Sequence, residues 1–408
     1  MKRISACRSC QSPEITSFFD LGDQPFANSL LDTQDAAEKS YPLALSWCKQ
    51  CNLVQLNDTA DPKELFSHYV WVTGTSSTAQ EYARRFYDEV TSRCSIPDEG
   101  YVLELASNDG TFLKPFLDKG HKVLGVDPAK NIVAMAEKDG VPSLCAFWGK
   151  ETADKVYADK GAAHLVFARN VLPHVANTHD FVDGLAHMLH EDGTLAIEAH
   201  YSRKILDELH YDSIYHEHLC YFTLKSLEYL LNQHGLHAFD VSESPISGGS
   251  IVLYASRDAR TASASLQNLR KSEQDAGINE LAAWEDFAKK SFAHRDVLLD
   301  MVKRAAQDGE VVGYGASARS STLLNFCGID HNLVSVIADQ APLKQGKYTP
   351  GTRILIEKPE QVIKRNPKHV LILAWNFADE IKGVLKEKLG YSGSTIVPLP
   401  NDPKSEKI

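Results

Sequence analysis

From about residue 69 to 258, short apolar or β-branched runs alternate with amphipathic stretches, beginning with apolar residues at helical spacing over 79–94. The runs at 101–105, 122–126, 165–168, 193–199 and 250–255 each end in polar or glycine-containing turns. That alternation predicts an α/β fold on a parallel sheet. Residues 259 to about 308 lack proline and space Leu281, Trp284, Phe287 and Leu298 along a helical face, which predicts a helical connector. Beyond it, 310–314, 333–338 and 369–374 read as strands of a second, smaller parallel sheet. Residues 1 to about 68 differ: short apolar runs, turn signals such as Leu21-Gly22-Asp23-Gln24-Pro25 and four cysteines make a loop-rich module that needs a staple. The expected division is a module at 1–68, a central α/β domain at 69–258, and the connector with a second α/β domain at 259–408.

At 408 residues the chain exceeds what one core supports, so several domains are required. An apolar fraction of 43% with 24% charged residues is that of a globular protein. The net charge of −11, with no Lys/Arg-rich run, opposes binding to a phosphate backbone. The start, Met1-Lys2-Arg3-Ile4-Ser5-Ala6-Cys7, has no apolar leader, and no apolar run reaches the roughly 18 residues of a membrane span. The expectation is a cytoplasmic protein, a monomer or weak oligomer with neither nucleic acid nor membrane as partner. In that compartment its eight cysteines are thiols or metal ligands.

Cys7-x2-Cys10 and Cys48-x2-Cys51 form two thiolate hooks. Two such hooks close one tetrahedral zinc shell with no open position, so the expected Zn2+ is structural and the chemistry lies elsewhere.

Val102-Leu103-Glu104-Leu105-Ala106-Ser107-Asn108-Asp109-Gly110 takes an apolar strand into a small-residue loop ahead of a helical stretch at 111–117. The next strand ends in Asp127, placed to accept from the two hydroxyls of an adenosine ribose. With a single glycine the loop is not G-x-G-x-x-G, which favours S-adenosylmethionine (SAM) over NAD. Candidate cofactor contacts are Glu104, Ala106, Asn108, Gly110, Asp127 and Asn170. On residues alone, a dinucleotide and a plain tight turn remain open.

Tyr211-Asp212-Ser213-Ile214-Tyr215-His216-Glu217-His218-Leu219 gathers phenols, imidazoles and carboxylates in one short segment, and His174 follows the 165–168 strand at the same sheet edge. Carbon methylation beside a carbonyl needs a base of near-neutral pKa and a donor for the enolate oxygen, which histidine and tyrosine supply. A metal site competes, but His216-x-His218 with one Glu lacks a third ligand at motif spacing. In the last domain, Gly313-Tyr314-Gly315-Ala316-Ser317-Ala318-Arg319-Ser320 is a weakened glycine loop before a helix, suited to an anion such as a diphosphate. Lys344 and Lys347 add local positive charge. NAD held through Asp339 is the rival reading there, and a structural relic of a dinucleotide fold is another.

Taken in order, the paired CxxC hooks, Glu104-Leu105-Ala106-Ser107-Asn108-Asp109-Gly110, Tyr215-His216-Glu217-His218 and Gly313-Tyr314-Gly315-Ala316-Ser317-Ala318-Arg319 resemble the nucleotide-sugar C-methyltransferases over nearly the whole chain. The resemblance implies a zinc module, a central SAM domain and a C-terminal Rossmann-like domain. It implies methylation at C3 of a 4-keto-deoxysugar on a nucleoside diphosphate, usually dTDP. His218 would be the base, with Tyr215, Glu217 and His174 arranging the sugar and stabilising the enolate. Tyr69 or Trp71 would be an aromatic contact near the sugar, and Gly315, Arg319, Lys344 and Lys347 would meet the nucleotide part. Two positions depart from the pattern: Tyr69-Val70-Trp71 stands where Tyr-x-Tyr and serines are usual, and Ser247 stands where a His precedes two glycines. The alternatives are an O- or N-methyltransferase, an NAD-dependent sugar oxidoreductase, and a zinc-stapled binding module without chemistry.

Overall fold

The structure, a computed structural model, describes residues 1–66, 72–244 and 248–408. A seven-stranded sheet forms the centre, in the order His237–Ser244, Ser250–Ser256, Leu189–His200, Ala163–Arg169, Tyr101–Leu105, Lys122–Asp127, Ser143–Cys145. The last five are parallel, and Tyr101–Leu105 is buried along its whole length because helices cover both faces. Helix Ser77–Thr91 is capped by Ser76, whose side chain accepts from the Ala79 amide, and lays Tyr82, Phe86 and Val90 on that sheet. The parallel expectation fails at the far edge. Ser250–Ser256 runs antiparallel to Leu189–His200, and His237–Ser244 antiparallel to Ser250–Ser256. The physical reason is the short link between those two strands, since a parallel pair needs a crossover of a dozen residues or more.

A second sheet repeats the doubly wound order: Leu355–Glu357, Val336–Ala338, Val311–Tyr314, His369–Ile372, Ser394–Val397, Lys404–Lys407, with only the last antiparallel. In both sheets the strand order reverses beside the first strand, between Tyr101–Leu105 and Ala163–Arg169 in one and between Val311–Tyr314 and His369–Ile372 in the other. Each reversal opens a crevice at the carboxyl ends of the strands. The connector is two helices, Ala264–Ala276 and Leu281–Asp308, parted by Gly277 in the left-handed conformation (φ 64°). Among the described residues no helix is long and apolar enough to cross a membrane.

The N-terminal sheet has the order Cys220–Tyr221, Val54–Leu56, Tyr41–Cys48, Ile15–Gln24, so one of its strands comes from the middle of the chain. Phe19 on this sheet meets Phe287, Phe292 and Phe326 edge-on at 5.4–5.8 Å, joining the module to the connector and the C-terminal domain. The two cysteine hooks are built alike. The Cys7 amide donates to Ser12 O and that of Gln11 to Cys7 O, while the Cys48 amide donates to Leu53 O and that of Asn52 to Cys48 O. Gln11 and Asn52 both turn at φ 59°.

These turns bring Cys7 Sγ to 3.5 Å from Cys51 Sγ and Cys10 Sγ to 3.4 Å from Cys48 Sγ, with all four sulfurs within 4.8 Å of one another. Bonds of about 2.3 Å to one tetrahedral Zn2+ put sulfurs about 3.8 Å apart, so the set fits zinc and leaves no open position. Elemental analysis of protein purified without chelator is expected to give one zinc per chain. Stripping the metal is expected to lower Tm, because the module folds around it; zinc well under one per chain, or an unchanged Tm after stripping, would count against the assignment.

Candidate functional site

The loop after Tyr101–Leu105 bends through left-handed residues, Ala106 (φ 52°), Asn108 (φ 51°) and Gly110 (φ 75°). A Cβ on Gly110 would lie 2.7 Å from Val141, so this turn tolerates only glycine there. Asp127 ties the loop down: its Oδ2 accepts from the Asn108 amide at 3.0 Å and its Oδ1 from the Ala129 amide at 2.9 Å. Each carboxylate oxygen retains a second lone pair for a ribose hydroxyl. Across the crevice Asn170 is also left-handed (φ 50°). Glu104 Oε2, Ser107 Oγ and Asn170 Oδ1 are buried with no hydrogen-bond partner among the described residues. Burial pushes the Glu104 carboxyl well above its ordinary pKa, against the opposing pull of the Arg169 guanidinium. An orphaned buried polar atom costs about 1–3 kcal/mol, so this edge suits a ligand carrying amino and hydroxyl donors, as SAM does.

The polar segment 211–219 lies beside the Asn170–His174 loop, with the Leu219 amide donating to Pro173 O at 2.7 Å. His218 Nδ1 is 2.7 Å from Ser213 O, an acceptor only, so Nδ1 carries the proton and Nε2 the lone pair. Tyr215 Oη stands 2.7 Å from that Nε2 and donates to it. The His174 ring meets that of His218 edge-on at 4.8 Å, and its Nδ1 donates to Glu217 O at 2.7 Å. Burial holds His218 well below the usual imidazole pKa, with His174 and His200 adding to the effect. Burial likewise lowers His174 to about 4, so both rings are neutral near pH 7. Glu217 Oε1 accepts from Asn28 Nδ2 at 2.6 Å, and a hollow of about 10 Å³, room for one water, joins Glu217, His174 and Ala60 of the N-terminal sheet region.

The structure thus gathers His218, Tyr215 and His174 at one sheet edge, whereas the Glu217 carboxyl turns to Asn28 and meets His174 only through its backbone oxygen and the shared hollow. His216 borders the same hollow as His174 and Glu217, but its Nε2 lies 3.3 Å from Tyr41 O and Pro42 O and Phe26 packs against its ring. Tyr69, Trp71 and Ser247 lie outside the described residues. In the C-terminal crevice, a Cβ on Gly315 (φ 96°) would fall 2.5 Å from Ala374 Cβ, a packing need as much as a ligand one. Lys344 Nζ donates to Ala316 O at 2.7 Å and lies 3.7 Å from Asp339, while Lys347 pairs with Asp32 at 2.6 Å. Arg319 pairs with Asp212. Sequence reasoning missed Asn28, Asp212 and His200. The last is buried at the end of Leu189–His200 with Nε2 unpartnered among the described residues. Only the His-rich composition of the region hinted at it.

Comparison with known proteins adds the family. The chain is similar to C-methyltransferase NovU of Streptomyces niveus, with 34% identity over 405 residues covering 98% of this chain and 96% of that protein. The chain belongs to the SAM-dependent C-methyltransferases. Family descriptions match along this C-methyltransferase as a zinc binding domain at 7–66, a methyltransferase domain at 79–240 and a C-methyltransferase C-terminal domain at 245–400. Among solved structures, it is similar to magnesium protoporphyrin IX methyltransferase of Synechocystis with bound SAM, at 14% identity and TM-score 0.33 over 44% of this chain and 79% of that one. It is also similar to the CcbJ methyltransferase of Streptomyces caelestis, at 13% identity and TM-score 0.33 over 44% of this chain and 90% of that one.

Burial raises the Glu217 carboxyl to about 7, with the Asn28 amide pulling the other way. The folded enzyme therefore holds this proton more tightly than the unfolded chain. The resulting stability is full below the ordinary carboxyl pKa and is lost as pH rises through about 7. Glu217→Gln, which does not titrate, is expected to raise stability relative to wild type at pH 8, by roughly 3 kcal/mol at most, and to change it little at pH 5. Thermal melts at the two pH values check this, and equal shifts at both would show a carboxyl of ordinary pKa.

Proposed function

We propose that the enzyme transfers the methyl group of SAM to the carbon beside the ketone of a nucleotide-linked 4-keto-deoxysugar, C3 in the family pattern, with His218 as base. The observation that carries the reading is the imidazole itself. It is neutral, held with Nδ1–H on Ser213 O, and its Nε2 lone pair sits 2.7 Å from the Tyr215 hydroxyl. At neutral pH the ring carries no proton on Nε2, the form a general base needs, although burial makes it a weaker base than a free imidazole; O- or N-methylation gives no comparable use for the pair. The keto-sugar itself rests on the motif resemblance.

In this reading Nε2 takes the proton, and the C–H electron pair moves into the C–C bond while the carbonyl oxygen becomes the enolate oxygen. Once Nε2 carries that proton it no longer accepts from Tyr215, whose hydroxyl is then free to donate to the enolate oxygen, while His174, neutral with its Nδ1–H on Glu217 O, helps arrange the sugar. Bound SAM supplies the methyl; the carbon forms the new bond and the S–CH3 pair leaves with sulfur. The balance is C–H plus SAM to C–CH3, S-adenosylhomocysteine and one proton, which His218 passes to solvent. Asp127, Glu104 and Asn170 would hold the adenosyl and amino acid ends of the cofactor, in a loop shaped by Ala106, Asn108 and Gly110. Gly315, Lys344 and Lys347 remain the proposed neighbours of the nucleotide part.

His218→Asn is expected to abolish both methyl transfer and deuterium uptake at the acceptor carbon while leaving SAM affinity within a few-fold, a loss of about 10²–10⁴ in rate for the missing base. Exchange persisting at the wild-type rate would remove His218 from the role and turn attention to His174 or Tyr215.

A further inference from the structure

The Asp212 carboxylate, 1% exposed, takes its side-chain partners among the described residues from the C-terminal domain. Arg319 Nη2 donates to its Oδ1 at 2.8 Å and Arg319 Nε to its Oδ2 at 3.0 Å, while Trp375 Nε1 donates to Oδ2 at 2.7 Å. The Arg319 guanidinium also lies 4.7 Å over the Trp375 ring. Two residues further along, Thr322 Oγ1 donates to Ile214 O at 2.9 Å. Arg319 and Thr322 are one turn apart on helix Ala318–Cys327, so a single helical face grips the chain on either side of Ser213. Ser213 O is the group that accepts from His218 Nδ1.

We propose that Arg319 and Thr322 are positioning residues for the base. By pinning Asp212 and Ile214 they hold Ser213 O where it fixes the His218 tautomer with its lone pair on Nε2. The inference rests on His218 being the base. It gives the glycine-loop helix of the C-terminal domain a part in the chemistry of the central domain, reached through one peptide carbonyl. A bidentate, buried Arg–carboxylate pair suits this task, because its geometry is fixed and loss of either partner strands a buried charge. Misplacing a reacting group by about 1 Å costs on the order of 10²-fold in rate, so small movements of Ser213 matter.

The test compares Thr322→Val, Asp212→Asn and Arg319→Lys in the full-length zinc-loaded enzyme, with SAM and a dTDP-linked 4-keto-deoxyhexose. Selective 15N-histidine labelling reads the His218 tautomer, the signal being assigned by its loss in His218→Asn. Each variant is expected to lower kcat by about 10-fold or more, with KM for both substrates within about 3-fold. The His218 signals are expected to move from the Nδ1–H form toward a mixture of tautomers, with Arg319→Lys the mildest charge-retaining change. Thr322→Val removes a single hydroxyl and is the variant that decides if the ion-pair changes unfold the protein. A rise in acceptor KM with kcat unchanged would make Arg319 a substrate contact and overturn the proposal. So would an intact tautomer and wild-type kcat in folded Thr322→Val and Asp212→Asn. Failure of the base assignment is separately visible: His218→Asn would then keep deuterium exchange, whereas the tautomer signal of the other variants still reports on the clamp.

Discussion

Residues from Tyr211 to Phe222 contain one short 3-10 turn and one two-residue strand, so most of their polar groups depend on other parts of the molecule. The N-terminal sheet takes Cys220–Tyr221 as a strand, the Leu56 amide donates to Leu219 O, and Asn28 reaches Glu217. The central domain answers through Pro173 O, His174 and the Ser202 amide, which donates to Phe222 O. The C-terminal domain supplies Arg319, Thr322 and Trp375. A segment of this kind has a defined shape only when all three surroundings are folded. The zinc staple therefore bears on the shape of this segment although its four thiolates leave the metal no open position.

The two doubly wound sheets use the same device and reach different ends. Asp127 and Asp339 both close the second strand, and each gives one oxygen to an amide in the loop after the first strand and the other to the residue two positions on. In the central crevice the loop and its facing strand leave Glu104, Ser107 and Asn170 with unpartnered oxygens among the described residues. In the C-terminal crevice Gly315 abuts Ala374 and the first basic residue after the loop turns to Asp212. The same backbone pattern thus leaves unpartnered polar atoms at the edge of one domain and, in the other, grips residues 212–214 of the central domain.

What the sequence made legible follows from range. The inner strands of the central parallel sheet announce themselves because both faces are buried, whereas its edge strand Ser143–Cys145, three residues long and largely exposed, does not; the zinc hooks do because each pair of ligands shares one turn. Tyr215 and His218 are three residues apart, so their pairing falls within one local segment. The antiparallel turn-back of Ser250–Ser256 was not legible, since alternation alone does not give strand direction. Nor was Lys404–Lys407, an exposed and wholly polar edge strand without a hydrophobic pattern. Asn28 with Glu217 and Arg319 with Asp212 join residues more than a hundred positions apart, and no local spacing marks such pairs. For that reason Arg319 read as an anion ligand in the sequence, while in the fold its guanidinium meets a carboxylate.

At the centre of this account stands a carbon acid deprotonated before methyl transfer. The direct test incubates the wild-type enzyme in D2O with the dTDP-linked 4-keto-deoxyhexose and S-adenosylhomocysteine in place of SAM, and follows the proton beside the ketone by NMR. Uptake of one deuteron at that carbon with no methyl transfer is the expected result. Absence of any exchange, in enzyme that methylates an oxygen or nitrogen of the same acceptor when SAM is restored, would contradict it.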